Sequence, residues 1–302
     1  MNNLVCVVYL ARFGNPLQLL DSFIRSYQSH IAGIDHKLLV IFKGFNSDST
    51  ELALSKQLLK NVEYTQFDIS DDGLDITAYQ KVLSNPSFSH FERFCFFNSH
   101  SNICSNDWLL KLNLALNQKN VGLVGATGSL YSFFSDHINR LPKLPPLEFN
   151  TGQALLRSIL KTGTWSLAWL NQFFCYVLVY SIQFDRFPNP HIRTNGIMAK
   201  REVLEKVSFG HIKNKSDAYR FESGKNSLTK QVLRMGLQVM IVGKNGQFFS
   251  IDDWNVSHTF WQGNQSNLLI SDNQTRYYET LSIEEKKTFE QYAWGKDDNL
   301  QT

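Results

Sequence analysis

The chain has 302 residues, of which 43% are hydrophobic and 13% aromatic, and its formal net charge is only +3. This length and composition are sufficient for one large hydrophobic core. The sequence has no run rich in lysine and arginine, so a nucleic-acid-binding protein is not expected. It also lacks a repeat of fixed period, which argues against a solenoid.

The four cysteines form no CxxC pair, and the N-terminus has no signal-peptide pattern. We therefore expect a cytoplasmic protein with free thiols.

The first part of the chain alternates apolar segments with amphipathic ones. Short apolar runs predict strands over 4–11, 38–42, 62–67, 94–97 and 121–126. Helices are predicted at 17–31, 49–60 and 76–84, and after Ser105. This alternation predicts an α/β fold: a Rossmann-like, mixed and mostly parallel sheet between layers of helices. Neither a GxGxxG nor a GxxxxGK[ST] loop follows the first strand, which argues against a dinucleotide oxidoreductase or a P-loop kinase.

A polar cluster ends the fourth strand. Asn98, Ser99, His100 and Ser101 follow the apolar run Phe94 to Phe97 directly. In open α/β sheets, ligands bind in the crevice outside the carboxyl ends of the strands. The sequence therefore predicts that the chemistry lies at 98–101. The next helix should begin at a Ser105 cap and bury one apolar face, formed by Trp108, Leu109, Leu112 and Leu116.

The segment 131–192 differs from the rest of the chain and predicts a helical insertion. It contains a proline-rich connector, 141–149, followed by a stretch without charged residues from Thr162 to Phe184. Three interpretations of 151–184 remain open: a membrane-spanning helix, a helix lying in the membrane interface, and a helix packed on the sheet or lining an acceptor groove.

The last part of the chain, 193–302, predicts a second half of the same domain. Phe221-Glu222-Ser223-Gly224 is expected to lead into a helix over 225–236. A strand at 237–242 and the turn 243–246 predict a hairpin. A polar and aromatic tail follows, and the charged helix 283–292 should be peripheral.

Seven stretches together resemble glycosyltransferases of the GT-A fold. They are VVYLARFGNP, DDGLDITAYQ, FFNSHSNICSNDWL, RTNGIMAKREVL, FESGKNSLTKQVLRMG, VGKNGQFF and DNQTRYY. The chain is most similar to bacterial enzymes that build lipopolysaccharide, O-antigen or capsule. The resemblance implies a nucleoside-diphosphate sugar donor, with UDP-sugars favoured, and a saccharide or polyprenyl-linked acceptor. It also implies a nucleotide-sugar-binding half at 1–130 and an acceptor-side half at 193–302. Under the interfacial interpretation of 151–184, the expected location is peripheral, on the inner face of the cytoplasmic membrane.

The resemblance assigns roles residue by residue. Donor and nucleotide binding falls to Leu10, Arg12, Lys43, Asp68, Asp72, Asp75, Asn98, Ser99 and His100. The residues expected near the donor sugar and acceptor are His191, Arg193, Asn195, Trp254 and His258, with Trp261 as a further stacking candidate. Simpler interpretations stay open: Asp72 or Asp75 as a helix cap, His191, Arg193 and Asn195 as loop packing, and the tail aromatics as ordinary core.

The metal site departs from the family pattern. GT-A enzymes usually carry Asp-x-Asp, which holds Mn²⁺ or Mg²⁺ against the donor diphosphate, whereas this chain has Asn98 and His100 at those positions. Mg²⁺ prefers carboxylates and water, and imidazole suits Mn²⁺ or other transition metals. Three alternatives remain: His100 is a single ligand to a metal held mostly by the diphosphate, Arg12 and Lys43 replace the metal, or His100 is structural.

Glu222 is the candidate general base, because the acceptor hydroxyl must lose a proton as it attacks the anomeric carbon. Asp253 is the reserve candidate. The alternative for Glu222 is an interaction with the dipole at a helix N-terminus. The competing functions are a catalytically degenerate GT-A module that binds carbohydrate or nucleotide without turnover, and a membrane-surface scaffold built on 151–184.

Overall fold

The computed structural model describes residues 4–140 and 177–295, and its centre is an eight-stranded mixed sheet. Its strands are β1 (Val5–Arg12), β2 (Lys37–Lys43), β3 (Thr65–Ile69), β4 (Arg93–Phe97), β6 (Val121–Gly125), β9 (Ile197–Lys200), β10 (Gln238–Val242) and β11 (Phe248–Phe249). Their spatial order is β11-β10-β6-β9-β4-β1-β2-β3. All neighbours pair in parallel except those of β9, which is antiparallel to β4 and β6, and the hairpin β10–β11. The predicted α/β fold class is confirmed.

Four short strands lie outside this sheet. β5 (Asn102–Ile103) pairs with β12 (Ile270–Ser271), and β7 (Gly128–Ser129) pairs with β8 (His191–Ile192), both antiparallel. The described helices are α1 (Leu17–Ser29), α2 (Thr50–Leu58), α3 (Asp75–Ser84), α4 (Trp108–Leu116), α5 (Phe133–Arg140), α6 (Arg201–Leu204), α7 (Lys215–Ser223), α8 (Leu228–Arg234), α9 (Asn273–Glu279) and α10 (Ile283–Trp294). Residues 177–183 are also helical, and Pro86–Phe88 and Ile251–Val256 form 3₁₀ turns.

The sheet has a hydrophobic core on each face. In β1, Cys6, Val8 and Leu10 face one core, while Val7 and Tyr9 face the other. Successive side chains of a strand point to opposite faces. A central strand that is covered on both sides must therefore be apolar at every position, which is why the predicted strands appear as continuous apolar runs.

The helix caps differ in part from those predicted. Ser49 caps α2 by accepting a hydrogen bond from the Leu52 N–H. The Ser105 cap is wrong, since α4 begins after Asp107 without a side-chain cap. The apolar face predicted for α4 is buried. Capping of α3 by Asp72 or Asp75 is also wrong, because the capping position is Leu74 and Asp75 is the first helical residue.

Two further boundaries change the position of candidate site residues. Asp68, which follows the strand predicted over 62–67, lies inside β3. Glu222 lies in the last turn of α7, and a separate helix α8 begins only after Ser227. The proposed dipole interaction at a helix N-terminus is therefore wrong for Glu222, since the C-terminal end of a helix dipole is negative.

Strand β9, from the last part of the chain, lies between β4 and β6 from the first part, so both parts contribute to one sheet. Most of the insertion predicted at 131–192, including 141–176 and thus most of 151–184, lies outside the described residues. Within residues 4–140 and 177–295, no helix is long and apolar enough to cross a bilayer.

Candidate active site

The polar turn after β4 lies where the strand order reverses between β1 and β4. The Asn98 Oδ1 accepts hydrogen bonds from the His100 N–H (2.9 Å) and the Ser101 hydroxyl (3.2 Å). The turn is tied to β1, because the Ser99 hydroxyl donates to the Leu10 carbonyl at 2.7 Å and the Tyr9 hydroxyl donates to the Ser99 carbonyl at 3.1 Å. Ser99 and Leu10 therefore fix the shape of this strand end.

The tail of the chain also holds this turn. The guanidinium of Arg276, on α9, donates from both terminal nitrogens to the His100 carbonyl at 3.1 Å. The buried hydroxyl of Ser101 contacts the amide oxygen of Asn195, which is itself buried. The strand end is thus contacted by two segments that are distant in sequence.

A central cavity of about 370 Å³ opens beside Asn98. Its lining combines polar and charged groups with aromatic rings: Asp75, Asn98, Ser129, Tyr131, Phe133, His191, Arg193, Thr194, Asn195, Tyr219, Glu222, Ser223, Phe260, Trp261, Asp272, Asn273, Gln274, Phe289 and Tyr292. Such a combination suits sugars, since aromatic rings can pack against the apolar face of a pyranose and the polar groups can bond to its hydroxyls.

Glu222 is a half-buried carboxylate in this cavity and accepts a hydrogen bond from the Thr194 hydroxyl at 2.5 Å. Burial raises the pKa of Glu222, and the bond from Thr194 only partly opposes this effect. The negative charges of Asp75 and Asp272 raise the pKa further, while Arg193 lowers it. A raised pKa makes Glu222 a stronger base than an exposed carboxylate.

Arg193 and Asp272 form a buried ion pair in the cavity wall, with Nη2 and Oδ2 2.7 Å apart. The guanidinium carbon also lies 4.1 Å from the centre of the Phe260 ring. Asp272 additionally caps α9 by accepting from the N–H groups of Gln274 and Thr275. Burial would raise the pKa of Asp272, but Arg193 and the bonds from Thr275 lower it overall, so this carboxylate is ionised at neutral pH.

His191 is buried in the same wall, and its Nδ1 lies 2.9 Å from the Asn189 carbonyl oxygen. A carbonyl only accepts hydrogen bonds, so Nδ1 carries the proton and Nε2 is an acceptor. Burial lowers the pKa of His191 to about 4, and the nearby charges of Arg193 and Lys230 act in the same direction. The ring is therefore neutral at neutral pH.

Two basic side chains that were predicted to bind the donor, Arg12 and Lys43, already interact with Asp71. Arg12 forms a two-pronged ion pair with Asp71, with N···O distances of 2.9 and 3.0 Å. Lys43 is fully buried, donates to the Gly73 carbonyl at 2.6 Å and lies 3.6 Å from Asp71. Arg12 nevertheless lines a second cavity, of about 350 Å³, together with Phe13, Phe45 and Ser99. We call this second cavity the Phe13 cavity.

Other predicted site residues lie away from the central cavity. Asp68 is exposed and accepts from Gln66, and Asp72 is exposed and pairs with Lys81 at 2.6 Å. The bonds from Lys81 and Ser70 lower the pKa of Asp72 to about 2. Asp253 is exposed and accepts from the Ser250 hydroxyl. None of these three carboxylates lines the central cavity.

The tail aromatics divide into two groups. Trp254 is completely buried, and its indole N–H donates to the Phe249 carbonyl at 3.1 Å, so it is a core residue and cannot stack on a sugar. His258 is exposed and does not line the central cavity. Trp261 does line it and stacks on Phe260, with ring centres 4.5 Å apart.

The side chains at the strand end do not fit a metal ion held by the protein alone. Among residues 4–140 and 177–295, no three His, Cys, Asp or Glu side chains are grouped closely enough to hold one. The Asn98 oxygen is already bonded to His100 and Ser101. A metal here would need most of its ligands from a bound ligand or water.

Sequence reasoning missed Thr194 and Asp272. Thr194 gave no signal, because a single threonine in a loop is common. Asp272 gave a weak sequence signal, because an aspartate three residues before a threonine is typical of a helix start. The structure has a capping box there. Its pairing with Arg193, 79 residues earlier, leaves no local pattern.

No family model matches the sequence, and no curated protein matches it either. Among solved structures, the chain is similar to the mannosyltransferase PcManGT from Pyrobaculum calidifontis, in complex with GDP-Man and Mn²⁺, at 15% identity over 45% of this chain and 37% of that chain (TM-score 0.33). It is also similar to 4-diphosphocytidyl-2C-methyl-D-erythritol synthase from Anaerococcus prevotii, at 10% identity over 80% and 89% of the two chains (TM-score 0.43). A third is S. aureus TarS, at 10% identity over 40% and 21% (TM-score 0.32).

Proposed function

We propose that the protein is a glycosyltransferase that moves a sugar from a nucleoside-diphosphate donor to a hydroxyl of a saccharide acceptor. One observation carries this proposal: the half-buried carboxylate of Glu222, with its raised pKa, lines the same cavity as Asn98 at the switch point between β1 and β4. A base and a ligand-binding strand end are thus brought into one aromatic-walled site.

The bond changes follow from this placement. The acceptor oxygen attacks the anomeric carbon of the donor sugar, and the bond from that carbon to the diphosphate oxygen breaks. Glu222 takes the proton that the acceptor hydroxyl loses. Thr194 donates to the carboxylate and holds it in position. The diphosphate leaves with the bonding electrons.

The two cavities suggest how the donor is placed. Asn98 lines the central cavity and Ser99, its neighbour in sequence, lines the Phe13 cavity. We place the donor sugar in the central cavity, the diphosphate over the turn, and the nucleoside in the Phe13 cavity. There the rings of Phe13 and Phe45 are available for base contacts, and their centres are 5.8 Å apart.

The finer assignment follows from the resemblance in sequence motifs. It comprises a UDP-sugar donor, a saccharide or polyprenyl-linked acceptor and a role in bacterial surface polysaccharide synthesis on the inner face of the cytoplasmic membrane. A divalent cation, if bound with the donor, would neutralise diphosphate charge; of the two residues at the Asp-x-Asp positions, Asn98 lines the central cavity and His100 does not.

A ligand screen followed by an activity assay tests the proposal. UDP-, GDP-, dTDP- and CMP-sugars are added with and without Mn²⁺, and the melting temperature is measured, because a ligand that binds only the native state raises it. The best donor is then incubated with the protein, and release of the free nucleotide is followed with and without saccharide acceptors.

Glu222→Gln should lower turnover by at least about 100-fold, as expected for loss of a general base, while the thermal shift caused by the donor is retained. Glu284→Gln, a matched change on the exposed first turn of α10, should have no effect. Loss of transfer in Asp253→Asn but not in Glu222→Gln would overturn the assignment of the base. Donor binding without turnover in the wild type would instead identify a binding module.

A further inference from the structure

A third cavity adjoins the central one. This outer cavity has a volume of about 500 Å³ and shares two lining residues, Tyr131 and Tyr292, with the central cavity. Both cavities fall within the size range typical of ligand sites. The two tyrosines therefore form a common wall, with the catalytic carboxylate on one side and the outer cavity on the other.

Hydrogen bonds and a ring contact fix the positions of Tyr131 and Tyr292 in this shared wall. The Tyr131 hydroxyl donates to the buried Asp136 carboxylate at 2.7 Å, and the rings of Tyr131 and Tyr292 meet edge-on with their centres 6.5 Å apart. The Leu130 N–H donates to the Ala293 carbonyl at 2.8 Å, which joins the segment carrying Tyr131 to helix α10 carrying Tyr292. The two rings are thus positioned before any ligand binds.

The outer cavity also has groups that suit a sugar. Phe187 is partly exposed in its lining, and the guanidinium of Arg186 and the amide of Gln291 are exposed there too. Among the described residues, neither the Arg186 nor the Gln291 side chain makes a hydrogen bond, and Arg186 only packs over the ring of Phe134 at 5.6 Å. Arg and Gln side chains carry several donors that can bond to sugar hydroxyls.

We propose that the acceptor is a saccharide of at least two linked sugars: the reacting sugar lies in the central cavity and the next sugar lies in the outer cavity, against Tyr131 and Tyr292. This inference rests on the proposed function and deepens it. The second sugar bonds to Arg186 and Gln291, so the outer cavity selects the length of the acceptor.

The experiment compares acceptors of two lengths on the intact chain. p-Nitrophenyl glycosides of common hexoses are paired with p-nitrophenyl disaccharides that carry the same terminal sugar, and kcat/KM is measured with the donor found in the screen. The best disaccharide should exceed its monosaccharide partner by about tenfold or more, the effect of one or two added hydrogen bonds and a ring contact.

Substitutions in the outer cavity should remove this advantage. Arg186→Ala and Gln291→Ala should each lower kcat/KM for the disaccharide by about fivefold, mainly through KM, as expected when a binding contact is lost. Arg25→Ala, a matched change at an exposed arginine on α1, should leave the preference unchanged. Melting temperatures verify that all three variants fold.

Failure of the inference and failure of the proposed function give different results. Release of nucleotide from the donor in water, without any acceptor, reports the function alone. If the donor is turned over but no disaccharide exceeds its monosaccharide, or if the two variants keep the preference, the outer cavity is not a sugar subsite. If no donor binds or reacts, the proposed function fails, and the inference fails with it.

Discussion

At the scale of single residues, Glu222 lies where its negative charge lowers the free energy of unfolding. Its carboxylate is half-buried in the last turn of α7 and shares its cavity with Asp75 and Asp272. Burial and these negative charges raise its pKa above that of an exposed glutamate. At neutral pH the unfolded chain therefore holds this charge at lower free energy than the native protein does.

Glu222→Gln should consequently stabilise the protein at pH 7 while it removes transfer. The glutamine keeps an oxygen that can accept the hydrogen bond from Thr194, but it carries no charge. We expect a rise in melting temperature of about 2 °C, which is modest for a domain of this size. Because Glu222 is protonated at low pH in the wild type, the gain should shrink as the pH falls through its raised pKa. A decrease in melting temperature at pH 7 would contradict this view of the site.

At the scale of elements, the 3₁₀ turn Ile251–Val256 packs against strand β7, which leads into the cavity lining. Its Trp254 packs against β7, where a Cβ added to Gly128 would lie 2.8 Å from the indole ring. Residue 128 must therefore be glycine for this contact to form. Strand β7 in turn leads to Ser129 and Tyr131 in the cavity lining.

Gly128→Ala should destabilise the protein by about 1–3 kcal/mol, because the added methyl overpacks this contact. Trp254→Leu should cost about 2–4 kcal/mol, since it leaves space in the core. The double variant should be more stable than the sum of the two single effects predicts, because the smaller leucine makes room for the methyl. Urea unfolding of the four proteins measures this coupling. Additive effects would show that the two residues do not pack together.

Elements buried in the sheet could be predicted from sequence, and elements defined by distant contacts could not. Apart from the terminal residues Arg12 of β1 and Arg93 of β4, both strands consist of residues that fit an apolar core, because they are covered on both faces. Helix α7 was missed, because its sequence has only two buried hydrophobic residues, Ala218 and Phe221. Its capping box at Asn214 and Asp217 was the available signal.

The same distinction applies to the candidate site: residues in a local sequence pattern could be predicted, and residues placed by distant contacts could not. Asn98 and Glu222 could be named as candidates because one ends a predicted strand and the other lies in one of the family-like motifs, and both line the central cavity. Asp75 was assigned to the nucleotide, whereas the structure places it with Glu222 in the central cavity. That placement depends on how α3 and α7 pack. The position of Asp272 depends on β5–β12, a pairing of two residues each that is too short to give a hydrophobic pattern.

At the scale of the whole molecule, the buried ionisable groups of the central cavity should make stability depend on pH. His191 has a pKa of about 4 in the native state, below the ordinary value of 6.5. As the pH falls from 7 towards 4, the unfolded chain takes up a proton on this ring and the native protein does not. The free energy of unfolding therefore decreases over this window. The raised pKa of Glu222 acts in the opposite direction, since the native carboxyl gains its proton first.

Replacing His191 isolates its contribution from that of Glu222. Glutamine keeps a donor for the Asn189 carbonyl but cannot be protonated in this range. Between pH 7 and 4, we expect the wild type to lose about 3 kcal/mol more unfolding free energy than His191→Gln does, as follows from the size of the pKa difference. Urea unfolding of both proteins at several pH values gives the two curves. Parallel curves would mean that His191 is exposed to solvent or protonated in the native state, and the wall of the central cavity would then not be closed at this position.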